Sequence, residues 1–124
     1  MVCGIISNGK AKTQRKKIRT LHLTDYFPPE RIIVSGDVGC QKPDREIFDL
    51  VARRFSFTLE GAWYIGDTFE NDVAGAAGAG WKTIWMNRRN RQKPTYAKAP
   101  VYEVNCEKEM AALIVNLLEK NTES

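Results

Sequence analysis

Short apolar runs rich in β-branched residues alternate along this chain with segments of helical periodicity. The runs occupy residues 2–6, 31–35, 62–65 and 83–86, and residues 101–104 add a short edge strand. The helical segments occupy residues 10–23, a stretch opening at Pro43, residues 71–80 and residues 109–120. Strand–helix alternation predicts parallel strands joined by right-handed crossovers. We therefore expect an α/β fold.

The composition is that of an ordinary globular protein, with 43% hydrophobic and 27% charged residues among 124. This length fits one domain, assigned to residues 1–124. Within it we place a motif-bearing region at 2–87, a basic loop at 88–100, and a closing edge strand and helix at 101–120.

The cysteines and the start of the chain bear on location. Cys3, Cys40 and Cys106 are odd in number and lack the paired spacing of a zinc site, so we interpret them as reduced thiols. The chain starts with no basic leader region and holds no apolar stretch long enough to cross a membrane. We expect a cytoplasmic protein.

The net charge is +4, and the excess lies mainly in residues 10–19 and 88–93. Such clusters favour partners that carry negative charge: nucleic acid, an acidic membrane surface or a small phosphorylated substrate. They are also typical of a solvated helix face and a basic loop. No aromatic residues interleave with the basic ones, which ranks nucleic acid last.

Polar residues follow three of the predicted strands, where ligands bind in parallel α/β sheets. Ser7, Lys42 and Asp67 each come one to several residues after an apolar run. A single crevice could collect all three. Taken alone, each has a structural interpretation, because Ser-Asn-Gly is a common turn and a lysine before proline is usually a surface residue.

The residues that follow the first and second predicted strands can donate hydrogen bonds to a phosphoryl group and balance its negative charge. Ser7 can donate a hydroxyl hydrogen bond, supported by the amides of Asn8 and Gly9 in a turn. Lys42 supplies a full positive charge where the transition state redistributes negative charge. These four residues are the predicted phosphate-binding set, and Lys42 is the predicted catalytic residue.

The third strand end offers oxygen ligands for a metal. Asp67 can bind Mg²⁺, which takes few protein carboxylates and keeps several waters. Asp72 can ligate through water or hold Lys42 in an ion pair. The alternative is a capped helix start, with Asn71 or Asp72 as the cap.

These residues, in this order, resemble the haloacid dehalogenase-like superfamily, most closely the small-molecule phosphatases that include pyrimidine 5'-nucleotidases. The resemblance covers about residues 2–87 and rests on residues 5–9 (Ile-Ile-Ser-Asn-Gly), Gln14, 25–27, 34–39, 42–43 with 47–48, and 65–72 with 76–80.

The resemblance implies a Rossmann-like core, an aspartyl-phosphate intermediate and magnesium as cofactor. Ser7 matches the family's second motif, Lys42 the third, and Asp67 with Asp72 the fourth. The first motif, Asp-x-Asp-x-Thr or Val, is absent: the aspartates are residues 25, 37, 44, 49, 67 and 72, and no two are separated by one residue. The cap that follows this motif and selects the substrate is absent too.

In family members the missing strand is central, between the strands that end at Ser7 and Asp67. Unpaired backbone along that gap costs about 1 to 3 kcal/mol per buried group, which is large against a domain's stability of about 5 to 15 kcal/mol. The gap could be closed by direct pairing of the flanking strands, by a second copy of the chain, or by an upstream segment. We favour the upstream segment, which makes this chain a truncated part of a longer protein.

We therefore expect the C-terminal part of a magnesium-dependent phosphohydrolase, inactive or nearly so alone because the aspartate nucleophile is missing. The alternative is a non-catalytic module that binds phosphate or a partner and keeps the scaffold. The expected partners are a small phosphorylated substrate and a possible second copy that closes the sheet, without a membrane.

Overall fold

The computed structural model describes residues 3–95 and 97–123 of the chain. Val2, the first residue of the first predicted strand, lies outside the described residues. The chain divides into two compact units after Ala62, and each is described by itself. The assignment of residues 1–124 to one domain stays a prediction. No helix of the described part combines the length and apolar character needed to cross a bilayer.

The first unit contains two parallel strands and three α-helices. In chain order they are β1 (Ile5–Ser7), α1 (Ala11–Thr20), β2 (Ile32–Val34), α2 (Ser35–Val38) and α3 (Arg45–Phe55). The register pairs Ile5 with Ile32 and Ser7 with Val34. Short 3-10 turns at Leu23–Asp25, Pro29–Arg31 and Leu59–Gly61 complete the unit.

The apolar positions predicted from periodicity form the core of the first unit. Ile18 of α1 packs with Ile32 and Val34 of β2. In α3, Ile47 and Phe48 are fully buried, as the helical spacing of its apolar residues predicts. Truncating a buried phenylalanine of this kind to alanine lowers the free energy of unfolding by about 3 to 5 kcal/mol. The two buried side chains therefore anchor α3, and with it the loop that precedes α3.

The described residues of the second unit form three parallel strands in the order β3, β4, β5. Its elements are β3 (Trp63–Gly66), a π-helical turn (Phe69–Ala74), α4 (Gly75–Gly78), β4 (Lys82–Met86), β5 (Tyr102–Val104) and α5 (Glu107–Glu123). Its core packs Ile84 and Met86 of β4 with Val104 of β5 and Met110 of α5.

Three predicted elements differ from the structure. The helix predicted over residues 10–23 ends at Thr20, and His22 just beyond it has a φ of 55°. Ser35, predicted to end a strand, and residues 36–38, predicted as loop, form the short helix α2, which Gly39 ends at a φ of 76°. The helix predicted over residues 71–80 begins earlier, as the π-helical turn, and ends at Gly78.

Four strands have a single hydrogen-bonded neighbour among the described residues: β1, β2, β3 and β5. The edges that bear on the site are those of β1, which pairs with β2, and β3, which pairs with β4. Ile65 of β3 is 43% exposed, unlike Ile84 beside it in β4, which is 1% exposed. A large apolar side chain at an open strand edge marks a place where a sheet can accept another strand. The free edges agree with the incomplete sheet predicted from the sequence.

Candidate functional site

The first group of predicted site residues lies in the turn after β1. Asn8 Nδ2 donates to the Lys42 carbonyl oxygen at 2.9 Å, and Asn8 Oδ1 accepts the Lys42 amide at 2.9 Å. One side-chain amide thus pairs with both main-chain groups of a residue 34 positions later. The structure therefore brings Ser7, Asn8 and Gly9 next to Lys42, as the sequence predicts.

Gly9 is held by the start of α2. Its amide donates to Ser35 Oγ at 2.8 Å, and its carbonyl oxygen accepts the Gly36 amide at 3.0 Å. The Gly9 amide, predicted to face a phosphate, is thus directed at Ser35. Gly9 has a φ of 146°, and a Cβ there would overlap the side chain of Gln14. Gly9 therefore shapes the turn, which leaves Ser7 and Asn8 as the residues of the turn to donate to an anion.

Gln14 of α1 and Ser35 of α2 are the residues of this site that sequence reasoning missed. Gln14 Nε2 donates to the Asn8 carbonyl oxygen at 2.6 Å. Gln14 belongs to the family resemblance, but its sequence context shows no physical role. Ser35 directly follows an apolar strand, as Asp67 does, and that pattern could have found it.

Lys42 precedes the helix α3 and is partly buried. The peptide bond between Lys42 and Pro43 is cis, and the Asp44 amide donates to the Gln41 carbonyl oxygen at 2.8 Å. Asp44 occupies the N-cap position of α3, although its side chain makes no capping hydrogen bond. The hydrogen bond between Gln41 and Asp44 thus joins the residues on either side of Lys42 and Pro43.

The second group of predicted site residues follows β3. Asp67 is exposed, and Thr68 Oγ1 donates to its Oδ1 at 3.3 Å. Trp85 Nε1 of β4 donates to the Asp67 carbonyl oxygen at 3.1 Å. The Trp85 ring is buried and meets Phe69 edge to face, with the ring centroids 4.8 Å apart. A rigid aromatic pair therefore fixes the backbone at Asp67 and leaves its carboxylate open to solvent.

Asp72 is 5% exposed, and both of its oxygens have donors. The Thr68 amide donates to Oδ2 at 3.1 Å, and the Tyr64 hydroxyl approaches Oδ1 at 3.5 Å. Burial, with the Asp72 carboxylate next in importance, raises the pKa of Tyr64 far above its usual range. Tyr64 therefore keeps its proton and remains a donor to Asp72.

Gly66 completes the surroundings of Asp72. A Cβ placed on Gly66 would overlap the Asp72 side chain. The absence of a side chain at Gly66 is thus what lets the carboxylate lie against the end of β3. Thr68 bridges the two aspartates, because its amide donates to Asp72 and its hydroxyl to Asp67.

The donor set of the second unit fits magnesium. Within the described residues no group of three or more His, Cys, Asp and Glu side chains is gathered as a metal cage. Mg²⁺ binds through one or two carboxylates and keeps several waters. The exposed carboxylate of Asp67 meets this requirement, and the two donors on Asp72 suit a carboxylate that acts through water or by orienting its neighbours.

Comparisons with known proteins identify the family of the chain. The model of the haloacid dehalogenase-like hydrolase family matches residues 1–86. Pyrimidine 5'-nucleotidase YjjG of Escherichia coli is 33% identical over 90% of this chain and 48% of its own length. N-acylneuraminate-9-phosphatase of Mus musculus is 31% identical over 91% of this chain and 45% of its own length. The chain thus spans about half the length of these relatives.

A solved structure gives the same result for the fold. YfnB of Bacillus subtilis, solved with bound magnesium, superposes with a TM-score of 0.79 at 34% identity, over 87% of this chain and 46% of that one. The Rossmann-like parallel α/β fold expected from the sequence is confirmed. Together with the family match over residues 1–86, this places the chain among the haloacid dehalogenase-like hydrolases.

Proposed function

We propose that this chain supplies the phosphate-binding and magnesium-binding residues of a phosphohydrolase that cleaves phosphate monoesters of small metabolites or nucleotides. The observation that carries the proposal is the pairing of Asn8 with both main-chain groups of Lys42. It joins a hydroxyl-bearing turn to a cation, the combination that a phosphoryl group requires. The names of the relatives, a pyrimidine nucleotidase and a sugar phosphatase, support a small phosphate monoester as substrate.

In this proposal each residue has a stated task. The Ser7 hydroxyl and the main-chain amide of Asn8 donate hydrogen bonds to phosphate oxygens. The Lys42 cation balances the negative charge of the phosphate. Asp67 provides the direct carboxylate ligand for Mg²⁺, and Asp72 acts through water. When bound, the metal ion neutralises negative charge on the phosphoryl oxygens.

The proposal also includes what this chain lacks. None of its aspartates has the spacing of the family's nucleophile and acid–base pair, so no covalent intermediate can form with these residues. The chain alone therefore binds phosphate without turning over a phosphate ester. The free edges of β1 and β3 suit a further strand, from another segment or from a second copy of the chain. A cytoplasmic location accords with the free thiols of Cys3, Cys40 and Cys106.

The test is an assay of p-nitrophenyl phosphate hydrolysis with Mg²⁺, paired with phosphorus NMR titration of inorganic phosphate. We expect no turnover above buffer and measurable phosphate binding. Ser7→Ala and Lys42→Met should each weaken binding about tenfold, since a charge-assisted hydrogen bond contributes about 1.5 to 3 kcal/mol. Gln41→Ala, at an exposed neighbour, should change nothing. Robust turnover that survives Asp67→Ala would contradict the proposal.

A non-catalytic phosphate-binding module is the second candidate. The observation that favours it is the engagement of both Asp72 oxygens by Thr68 and Tyr64, which a purely structural role would also explain. This candidate predicts phosphate binding that is independent of Mg²⁺ and a cooperative melting transition of a monomeric chain.

A further inference from the structure

Asn87, at the end of β4, is a buried polar residue that the phosphate and metal tasks do not use. It is 2% exposed. Its Oδ1 accepts the Arg91 amide at 3.0 Å, and its Nδ2 donates to the Arg91 carbonyl oxygen at 2.8 Å. Its own amide donates to the Val104 carbonyl oxygen at 2.7 Å. The turn formed by residues 88–91 is therefore closed by one asparagine and anchored to the sheet.

This pairing repeats the one between Asn8 and Lys42. In both cases an asparagine that directly follows a strand binds the amide and the carbonyl group of a basic residue. Main-chain pairing of this kind would hold any residue type. The closure of the turn therefore does not explain why residues 88, 89 and 91 are all arginines.

The acidic residues around the turn are already engaged. Three glutamates of β5 and α5 have partners. Glu103 accepts a hydrogen bond from the side chain of Asn87 at 3.1 Å, and Glu107 forms an ion pair with Arg88 at 2.6 Å. Glu109 accepts a hydrogen bond from the main-chain amide of Asn105 at 2.9 Å. Arg89 and Arg91 are exposed, and in the part of the chain that the structure describes neither guanidinium has an acidic partner. Two uncompensated cations therefore lie on one ordered turn.

Lys93, two residues after the turn, has a structural role. Its Nζ donates to the carbonyl oxygens of Pro94 at 2.9 Å and Ala97 at 2.5 Å. The turn itself is held by the hydrogen bonds between Asn87 and Arg91, which lowers the entropy that Arg89 and Arg91 would lose on binding an anion.

The turn lies at the ligand-binding edge of its sheet, one strand from Asp67. β3 and β4 are parallel with Gly66 opposite Trp85, so Asp67 and Asn87 follow neighbouring strand ends. Adjacent strands are about 4.8 Å apart, and Trp85 Nε1 binds the Asp67 carbonyl oxygen directly. A small ligand held at Asp67 can therefore extend to the arginine turn.

We propose that the turn of residues 88–91 is a second anion site, in which Arg89 and Arg91 bind a carboxylate or a second phosphate of the phosphorylated ligand. This inference rests on the proposed function, because it takes Asp67 to hold the Mg²⁺ ion that a bound phosphate would contact. It narrows the substrate class to phosphate monoesters that carry a second negative group. Guanidinium groups suit both anions, since they bind planar and tetrahedral oxyanions through paired N–H donors.

The test compares three probes by NMR titration of the full chain: methyl phosphate, phosphoglycolate and methylenediphosphonate. Methyl phosphate lacks the second anion, phosphoglycolate adds a carboxylate, and methylenediphosphonate adds a second phosphorus group. We expect at least one of the two larger probes to bind about tenfold tighter than methyl phosphate. The probe whose affinity exceeds that of methyl phosphate shows whether the arginine turn binds a carboxylate or a second phosphorus group.

The double variant Arg89→Gln with Arg91→Gln should remove that gain and leave methyl phosphate within about twofold of the parent chain. Lys98→Gln with Lys108→Gln is the matched control, because it removes the same charge from two exposed positions and should preserve the gain. Equal affinity of the parent chain for all three probes would overturn the inference, as would a gain that persists in the double variant.

Two further experiments distinguish this inference from the proposed function and from nucleic-acid binding. With Mg²⁺ present, Asp67→Asn should weaken all three probes together. If it weakens none of them while the double variant still removes the gain, the proposed function fails and the arginine turn is supported as an anion site. A single-stranded oligonucleotide is the last probe. If the double variant loses only oligonucleotide binding, the turn is a nucleic-acid contact and the inference is wrong.

Discussion

Asn8 and Lys42 form a reciprocal pair, in which one side-chain amide binds the main-chain N–H and C=O of a residue 34 positions away, each at 2.9 Å. The pair links the turn after β1 to the loop before α3. Gln14 supports it by donating to the Asn8 carbonyl oxygen. A neutral side chain therefore ties the Lys42 main chain to the Ser7 turn.

Replacing Asn8 tests this link. Asn8→Ala leaves the Lys42 amide and carbonyl group without this partner, and we expect the free energy of unfolding to fall by about 1 to 3 kcal/mol. Phosphate binding should weaken as well, although Asn8→Ala removes no charge. Urea unfolding and phosphate titration measure the two effects. Gln41→Ala is the control, and an Asn8→Ala chain that binds phosphate as the parent does would refute the positioning role.

Gly66 is predicted to tolerate no side chain. In Gly66→Ala the new Cβ would overlap Asp72, so the carboxylate must leave its donors Thr68 and Tyr64, and overpacking of this kind costs about 1 to 3 kcal/mol. We expect lower stability and weaker Mg²⁺ binding. Gly61→Ala is the matched control, because nothing lies within 4 Å of a Cβ there. Equal stability of the two variants would show that the overlap is relieved without cost.

Cys40 should make stability depend on alkaline pH. Burial, then Glu46 and Asp44, raise the pKa of the Cys40 thiol above its ordinary value of 9.0, so the folded chain keeps a proton that the unfolded chain releases. The resulting stabilisation is complete below about pH 9 and is lost as the pH rises through the raised pKa.

The measurement is urea unfolding between about pH 8 and about pH 10. The free energy of unfolding should fall with pH more steeply in the parent chain than in Cys40→Ala. Cys3→Ala is the control because Cys3 is exposed, and it should keep the parent's slope. A Cys40→Ala chain with an unchanged slope would contradict the assignment.

The strands were predictable from the sequence because β-branched residues concentrate there and polar or glycine residues end each run. Each predicted strand is found, with bounds that differ by at most three residues at either end. The end of α1 was not predictable, since no glycine marks it: His22 itself adopts the left-handed conformation. The four-residue helix α2 is too short for a periodic pattern.

The site was predictable in its residue types but only partly in its contacts. Ser7, Lys42 and Asp67 come after or at the ends of apolar runs, the positions where ligands bind in parallel α/β sheets. The partners that orient them depend on tertiary contacts: Gly9 binds Ser35 across 26 residues, and the Asp67 carbonyl oxygen accepts from Trp85 across 18. The π-helical turn arises similarly from local hydrogen bonding between Thr68 and Asp72, which no periodicity signals.

Titration calorimetry of inorganic phosphate, with and without Mg²⁺, tests whether this chain carries the phosphate and metal part of a hydrolase site. We predict that Mg²⁺ tightens phosphate binding about tenfold and that Asp67→Asn abolishes this gain. Asp25→Asn, which removes one exposed carboxylate elsewhere, should retain it. Phosphate binding that is indifferent to Mg²⁺, or a gain that persists in Asp67→Asn, would contradict the account.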